Sequence, residues 1–481
     1  MRFSAAPRRA LAVLSAIACS ALFALPASAL APQEGGGEGG GGAPEGGDEE
    51  AAKEQTDVGE WLAVIGGEVH TGTGAVLRGA TVLAKDGVIR AIGQGLHIPA
   101  EAKRIDATGM RVYPGLVAFD SSGLIGNSGS DFADTIDPFN SRLVLALAAG
   151  ITTAGQSEAA VKLKRGEIKD VLMREKFLVL QNFSTSNPQG KKAFVDKLTR
   201  ASEYLREYRT WEEKKKEDKE LKEPSRKGVD SNVLSILRGE VLARFNADAR
   251  TELLDIARLA QRFNFRPVII GCAEGWTVAD ELGRAGAYAV VTPRYRRDKE
   301  EQLVRPGGSS IENAELLHRA GVQIAIVPAA KSVDLGGIVG RDIMHLTIEA
   351  GFAVRGGLSE QAALEAITIV PARLLGVDHR VGTLEVGKDC DLILTDGDLL
   401  HYQTFVQYAV VAGKQVYDKS AELYFAHIRP RPAAELAPET RVDPGTEPSE
   451  EPAAPPEPDK PVEPDESKEP PKGGEPPVGG G

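Results

Sequence analysis

GLSEQAALEAITIVPARLLGVDHRVGTLEVGKDCDLIL, residues 357–394, is where the chain changes architecture. Ser359 to Ile369 reads as a helix. Pro371 follows, and because proline is tolerated in a first helical turn it opens a second short helix over Ala372 to Leu375. Gly382 and Gly387 then punctuate the chain, and the apolar run Leu392 to Leu394 returns it to strand. Beyond it, Val406 to Val411 and Gln415 to Tyr417 flank Gly413-Lys414 and read as a hairpin.

Upstream, from Tyr113 on, short apolar runs alternate with longer helical patterns. Strands are expected at Val117 to Phe119, Phe177 to Leu180, Leu242 to Phe245, Val268 to Ile270, Ala287 to Val291 and Val322 to Val327. Leu253 to Phe263 and Ile311 to Ala320 are amphipathic helices, the first with Leu253, Leu254, Ile256 and Ala257 spaced for one buried face. Strand and helix in alternation argue for a parallel sheet, closed or doubly wound. Ahead of Tyr113, aliphatic runs at Ala63 to Val69, Ala80 to Ala84 and Val88 to Ile92 are separated by glycines and by Asp86-Gly87, a strong hairpin signal. With β segments on both sides of the α/β core, one small sheet made from both ends of the folded region is expected. Tyr204 to Lys227 is mostly Glu, Lys and Arg and suits a solvated helix broken at Pro224, with no chemistry assigned to it.

The two ends have different compositions. Arg2, Arg8 and Arg9 precede an apolar stretch from Ala10 to Leu25, then Pro26 and the small residues Ala27, Ser28 and Ala29. That is the pattern of a secretory signal peptide over residues 1–31, and the apolar run is short of the about 20 residues a membrane anchor needs. Cys19 follows Ala16, Ile17 and Ala18, a poor lipoprotein box. Residues 32–57 are Gly, Glu and Ala, and residues 429–481 are Pro, Glu, Asp and Lys, so neither segment has the apolar content to offset the entropy of ordering. Both are expected to be disordered, the second with polyproline character. Loss of the three leader arginines takes the net charge from −12 to −15, which excludes a generic nucleic-acid or anionic-membrane binder. Cys272 and Cys390 are then the remaining thiols, too few and too far apart for a disulfide framework. The roughly 370 residues between the ends exceed one small domain.

Four stretches carry a resemblance to a known family. His70-Thr71-Gly72-Thr73-Gly74 with Gly79 to Gly93 looks like its opening hairpins, and Val112-Tyr113-Pro114-Gly115-Leu116-Val117 like its lead into the first barrel strand. Ala149-Gly150-Ile151-Thr152-Thr153 looks like the approach to the second strand, and residues 357–392 closely resemble its C-terminal signature. The chain thus resembles the amidohydrolase superfamily, in particular the imidazolonepropionase-like group of secreted or periplasmic members. The resemblance implies an α/β fold: a distorted (β/α)8 metal-dependent-hydrolase barrel over residues 114–370. It also implies a small β-sandwich built from residues 58–113 and 371–428.

Family members bind one or two divalent metals at the C-terminal mouth of the barrel, where the metal lowers the pKa of a bound water to about 7. That requires imidazole nitrogens and carboxylates about 2.0–2.2 Å from the metal. The resemblance puts Asp120 and Ser122 at the two positions of the first His-x-His pair, and no His-x-His occurs anywhere in the chain. It puts Asn246 at the next histidine, Gly271 at the one after, and Ala329 near the aspartate expected after Val322 to Ile326. The bridging lysine or glutamate of two-metal relatives has no counterpart. Of the seven histidines, His345 is the best stray candidate, beside Met344 and Leu346 on an expected helix. Asp120, Asn246, Asp248 and Glu274 remain as a possible barrel-mouth pocket offering oxygen ligands to a hard cation such as Ca²⁺ or Mg²⁺. Cys272 as a nucleophile would need a base beside it.

The expectation is an exported, periplasmic or extracellular protein with no cofactor and no catalytic residues. It would act as a binding or partner subunit, as a homodimer or with an active amidohydrolase relative. One rival reading is a hydrolase of carbon–nitrogen bonds with an altered metal site and a divalent cation. A second is an envelope structural protein in which the acidic tail matters most.

Overall fold

The computed structural model describes residues 59–126, 133–156, 159–181, 183, 187–299, 306–334 and 340–422. The expected leader with Cys19, the linker 32–57 and the tail 429–481 lie outside the described residues. Among the described residues no helix is long and apolar enough to cross a membrane.

The chain opens with β1 (Trp61–His70), β2 (Val76–Lys85), β3 (Val88–Gly93), β4 (Lys103–Asp106) and β5 (Arg111–Pro114). Then follow β6 (Leu116–Ser121), α1 (Ser141–Ala148), β7 (Ile151–Gln156), β8 (Ala159–Lys162), β9 (Leu172–Arg174), β10 (Leu178–Leu180), α2 (Pro188–Lys214) and α3 (Ser231–Arg238). After these, strand and helix alternate: β11 (Leu242–Ala247), α4 (Arg250–Phe263), β12 (Pro267–Gly271), α5 (Ala279–Arg284), β13 (Tyr288–Val291), α6 (Asn313–Arg319) and β14 (Gln323–Ile326). Three helices, α7 (Leu346–Arg355), α8 (Glu360–Glu365) and α9 (Ile369–Leu375), lead to β15 (Leu392–Thr395), β16 (Val406–Val411) and β17 (Lys414–Asp418).

Both ends of the described chain enter one eight-stranded sheet in the order β17-β16-β15-β5-β1-β2-β3, with β4 on β1. β1 is long enough to take β4 beside Leu62 to Ile65 and β5 beside Glu68 and Val69. The sheet therefore doubles over a core that includes Val64, Val82, Ile89, Val112, Leu392 and Val410. Asp86 and Gly87 (φ 52° and 81°) turn β2 into β3, and Ala412 and Gly413 (φ 49° and 73°) turn β16 into β17. Consecutive left-handed residues are what a two-residue hairpin requires. The second turn thus falls one residue earlier than the Gly413-Lys414 pair suggests. The two turns also abut: a Cβ on Gly87 would lie 2.7 Å from the Ala412 carbonyl oxygen.

The barrel wall is parallel and distorted. β6 pairs with β7, and β10 through β14 form a continuous parallel sheet. Ala366 and Ile367 bridge β14 and β6: their carbonyls accept from the Ile326 and Val117 N–H groups at 2.9 Å each. Alternation sends Val268, Tyr288 and Ala325 inward against Ile369, Val370 and Leu375 of α9. It sends Phe245, Ile269 and Ile324 outward against the helices. Leu253 and Ile256 of α4 are fully buried there, each contributing about 1.5–3 kcal/mol by removing apolar surface from water.

Two departures from the sequence expectation have identifiable causes. The charged helix ends at Lys214, ten residues ahead of Pro224; the chain folds back there, and Trp211 Nε1 donates to the Leu221 carbonyl at 2.9 Å. β8 and β9 form an antiparallel excursion after β7 where a parallel wall was expected. Lys162, at the end of β8, anchors it. Its ammonium is 1% exposed, 2.8 Å from Asp389 Oδ2 and 2.8 Å from Asp391 Oδ1. Removing one partner of a buried charge pair costs about 3–5 kcal/mol because the other is left uncompensated. Lys162→Ala should therefore lower unfolding stability by about that amount, read as a lower urea midpoint.

Candidate barrel-mouth site

Parallel strands end at one rim, and Asp120 stands there near the end of β6. Its Oδ2 lies 2.6 Å from Lys331 Nζ and 3.4 Å from Arg244 Nη2. Arg244 projects from β11, and Lys331 comes from the loop after β14. The Ser122 N–H donates to the Lys331 carbonyl at 2.9 Å, fixing that loop against β6. Beside the ion pairs is a cavity of about 150 Å³ lined by Phe119, Asp120, Gly155, Phe177, Leu178, Leu180 and Arg244. Ser121 Oγ donates to the Gly155 carbonyl at 3.0 Å, joining β6 to β7 just behind it.

The other residues singled out from sequence are elsewhere on the rim. Asn246 is exposed, opposite Ile270 in the β11–β12 register, and Ala329 is exposed in the loop after β14. Asp248 and Glu274 do not line the cavity at Asp120. Asp248 Oδ1 accepts from the Ala273 N–H at 3.2 Å. Glu274 accepts from the Arg250 N–H at 2.9 Å and the Gly308 N–H at 2.8 Å. The first turn of α4 has free N–H groups and no side-chain cap of its own, so Glu274 supplies one from a distant segment. Gly271 has φ +97°, and a Cβ there would lie 2.4 Å from Asp248 Oδ1.

A divalent metal does not fit this donor set. Asp120 already faces two cationic side chains, and an added dication would meet like charge. Among the described residues no group of three or more His, Cys, Asp or Glu is placed to hold a metal ion. His345 Nδ1 is instead 2.5 Å from Asp342 Oδ1, in the turn before α7. Burial, reinforced by Asp248, pushes the Cys272 thiol far up, so the thiolate a nucleophile needs is not formed. Arg244 was the residue sequence reading passed over. It stands two positions before Asn246, and in a strand that spacing puts both on one face. Lys331 carried no such signal.

A model of the Amidohydrolase family matches residues 283–419. The structure also resembles the crystal structure of an amidohydrolase from Thermotoga maritima, with a TM-score of 0.53 at 20% identity, covering 74% of this chain and 100% of that one. Over residues 283–419 the chain is thus similar to the amidohydrolase family. Its α/β fold is like that of the Thermotoga maritima amidohydrolase. Over 68 residues it is 44% identical to N-acetylglucosamine-6-phosphate deacetylase of Danio rerio, 14% of this chain and 16% of that protein. Over 65 residues it is 40% identical to the deacetylase of that name from Homo sapiens, 14% of this chain and 15% of that protein. The match thus spans only about a sixth of the curated relatives' length.

Two outcomes follow from the Gly271–Asp248 contact. Gly271→Ala should destabilise by about 2 kcal/mol or more, from left-handed backbone strain plus the clash, and the clash component should disappear in an Asp248→Ala background, measured as a double-mutant cycle. Burial first, then the nearby Glu252 and Glu274, raise the Asp248 carboxyl above its ordinary pKa against the Ala273 N–H and Arg297. The native state therefore binds that proton more tightly than the unfolded chain. Stability from this group is greatest below about pH 4, the unfolded value, and falls as pH rises through the raised native value. Asp248→Asn should remove that decline, so the variant gains on the native protein at pH 7 and not at low pH.

Proposed function

We propose that this chain is a catalytically degenerate amidohydrolase, exported from the cell, that uses its barrel as a binding or partner subunit. The observation that carries the reading is the Asp120 carboxylate held by Lys331 and Arg244 where a metal centre would need free donors. Metal-assisted hydrolysis works by polarising a carbonyl and generating hydroxide at neutral pH. Among the described residues the mouth has neither the ligand set for that nor an ionised thiol to replace it. The partner is a second copy of the chain or a histidine-bearing relative. Co-purification from the native source tests the heteromer, which is refuted if no relative co-elutes.

The rival is a carbon–nitrogen hydrolase with an altered metal site, and the deacetylases named above are what favour it. Elemental analysis of protein purified without chelators and exposed briefly to Zn²⁺, Mn²⁺ and Ca²⁺ separates the two. Less than about a tenth of an equivalent is expected, whereas a structural or catalytic site retains about one ion per set of ligands. One or two tightly held ions, with amide hydrolysis abolished by chelation, would overturn the proposal.

A further inference from the structure

We propose that the cavity beside Asp120 binds small monocarboxylates with a compact apolar body, of about benzoate size. The inference rests on the reading that ion pairs, rather than a metal, hold the barrel mouth.

Arg244 is the recognition element. A guanidinium presents five N–H donors in a fixed fork. Here its Nη2 reaches Asp120 only at 3.4 Å, and its Nε is buried with no hydrogen-bond partner among the described residues. The Nε is enclosed by the protein, so a ligand carboxylate accepts from the terminal guanidinium N–H groups where Arg244 lines the cavity, a charge-assisted contact. The net charge agrees: Asp120 against Arg244 and Lys331 leaves one positive charge, which a monoanion neutralises and a phosphate dianion exceeds. The remaining walls are Phe119, Phe177, Leu178 and Leu180, which suit an apolar body and give a second charged group no partner. A cavity of about 150 Å³ lined by such side chains is large enough for a benzene ring.

The test is calorimetric titration of the full chain with benzoate, and with benzamide as the neutral isostere. Benzoate should saturate at one site and bind about tenfold or more tightly than benzamide, the difference a charge-assisted fork makes. Arg244→Gln should weaken benzoate by about tenfold or more and leave benzamide nearly unchanged. Asp120→Asn removes the internal competitor and should tighten benzoate, an effect that misfolding cannot imitate. Equal affinity for the two ligands, no saturable binding, or weaker binding by the Asp120 variant would each overturn the site. Failure of the underlying reading is distinguishable: benzoate binding that depends on added metal and vanishes on chelation would overturn that reading as well.

Discussion

Asp391 is the residue through which the two halves of the fold are joined. Its carbonyl accepts from the Gly115 N–H at 3.0 Å, at the junction between the sheet and the first barrel strand. Its carboxylate, 2% exposed, accepts from Lys162 Nζ at 2.8 Å and from the Ala412 N–H at 2.7 Å. One side chain thus ties β8 of the barrel to the turn between β16 and β17. Burying such a carboxylate is tolerable because two separate segments supply its partners, and misplacing Lys162 leaves an uncompensated charge. The sheet assembled from both chain ends consequently has one register against the barrel.

The barrel mouth meets a related electrostatic problem. Parallel strands deliver Asp120 to a rim with limited access to water, where an unpaired carboxylate would be costly. A divalent cation is one solution to a carboxylate in such a place, and a pair of basic side chains is another. Here Lys331 and Arg244 supply the second. Glu274 and Asp248 follow the same logic with backbone donors: each accepts N–H groups from turns that helices and strands leave unsatisfied. Asp248 and Glu274 at the rim therefore tie loops together.

The fold was legible in the sequence wherever short-range rules decide it. Short apolar runs marked six strands between Val117 and Val327, and the Asp86-Gly87 turn could be read from residue type alone, because left-handed backbone restricts it to few residues. The β8–β9 excursion was not legible, since what stabilises it is Lys162 meeting carboxylates more than two hundred residues away. The site divides in the same way. Asp120, Ser122, Asn246 and Gly271 came from the family resemblance, which implies that they stand at histidine positions. The cations beside Asp120 could not be found that way, because a lysine in a loop after β14 has no periodicity that points it at a strand end on the far side of the wall. Glu274 as a cap for α4 was hidden for the same reason: local capping rules look within a few residues of the helix, and this acceptor comes from the next strand's loop.

Geometry also constrains substitution around the mouth. A side chain at position 271 must displace Asp248 and tolerate φ +97°, a conformation that β-carbons disfavour. Displacing Asp248 frees the Ala273 N–H, which sits in the turn carrying Glu274, the acceptor for the start of α4. Across the mouth, Asp120 is paired with Lys331 and Arg244, and the Lys331 carbonyl holds its loop to Ser122. Residues that share partners in this way are coupled, so the effects of substituting them do not add. The ion pairs and backbone contacts of the mouth thus form one connected set.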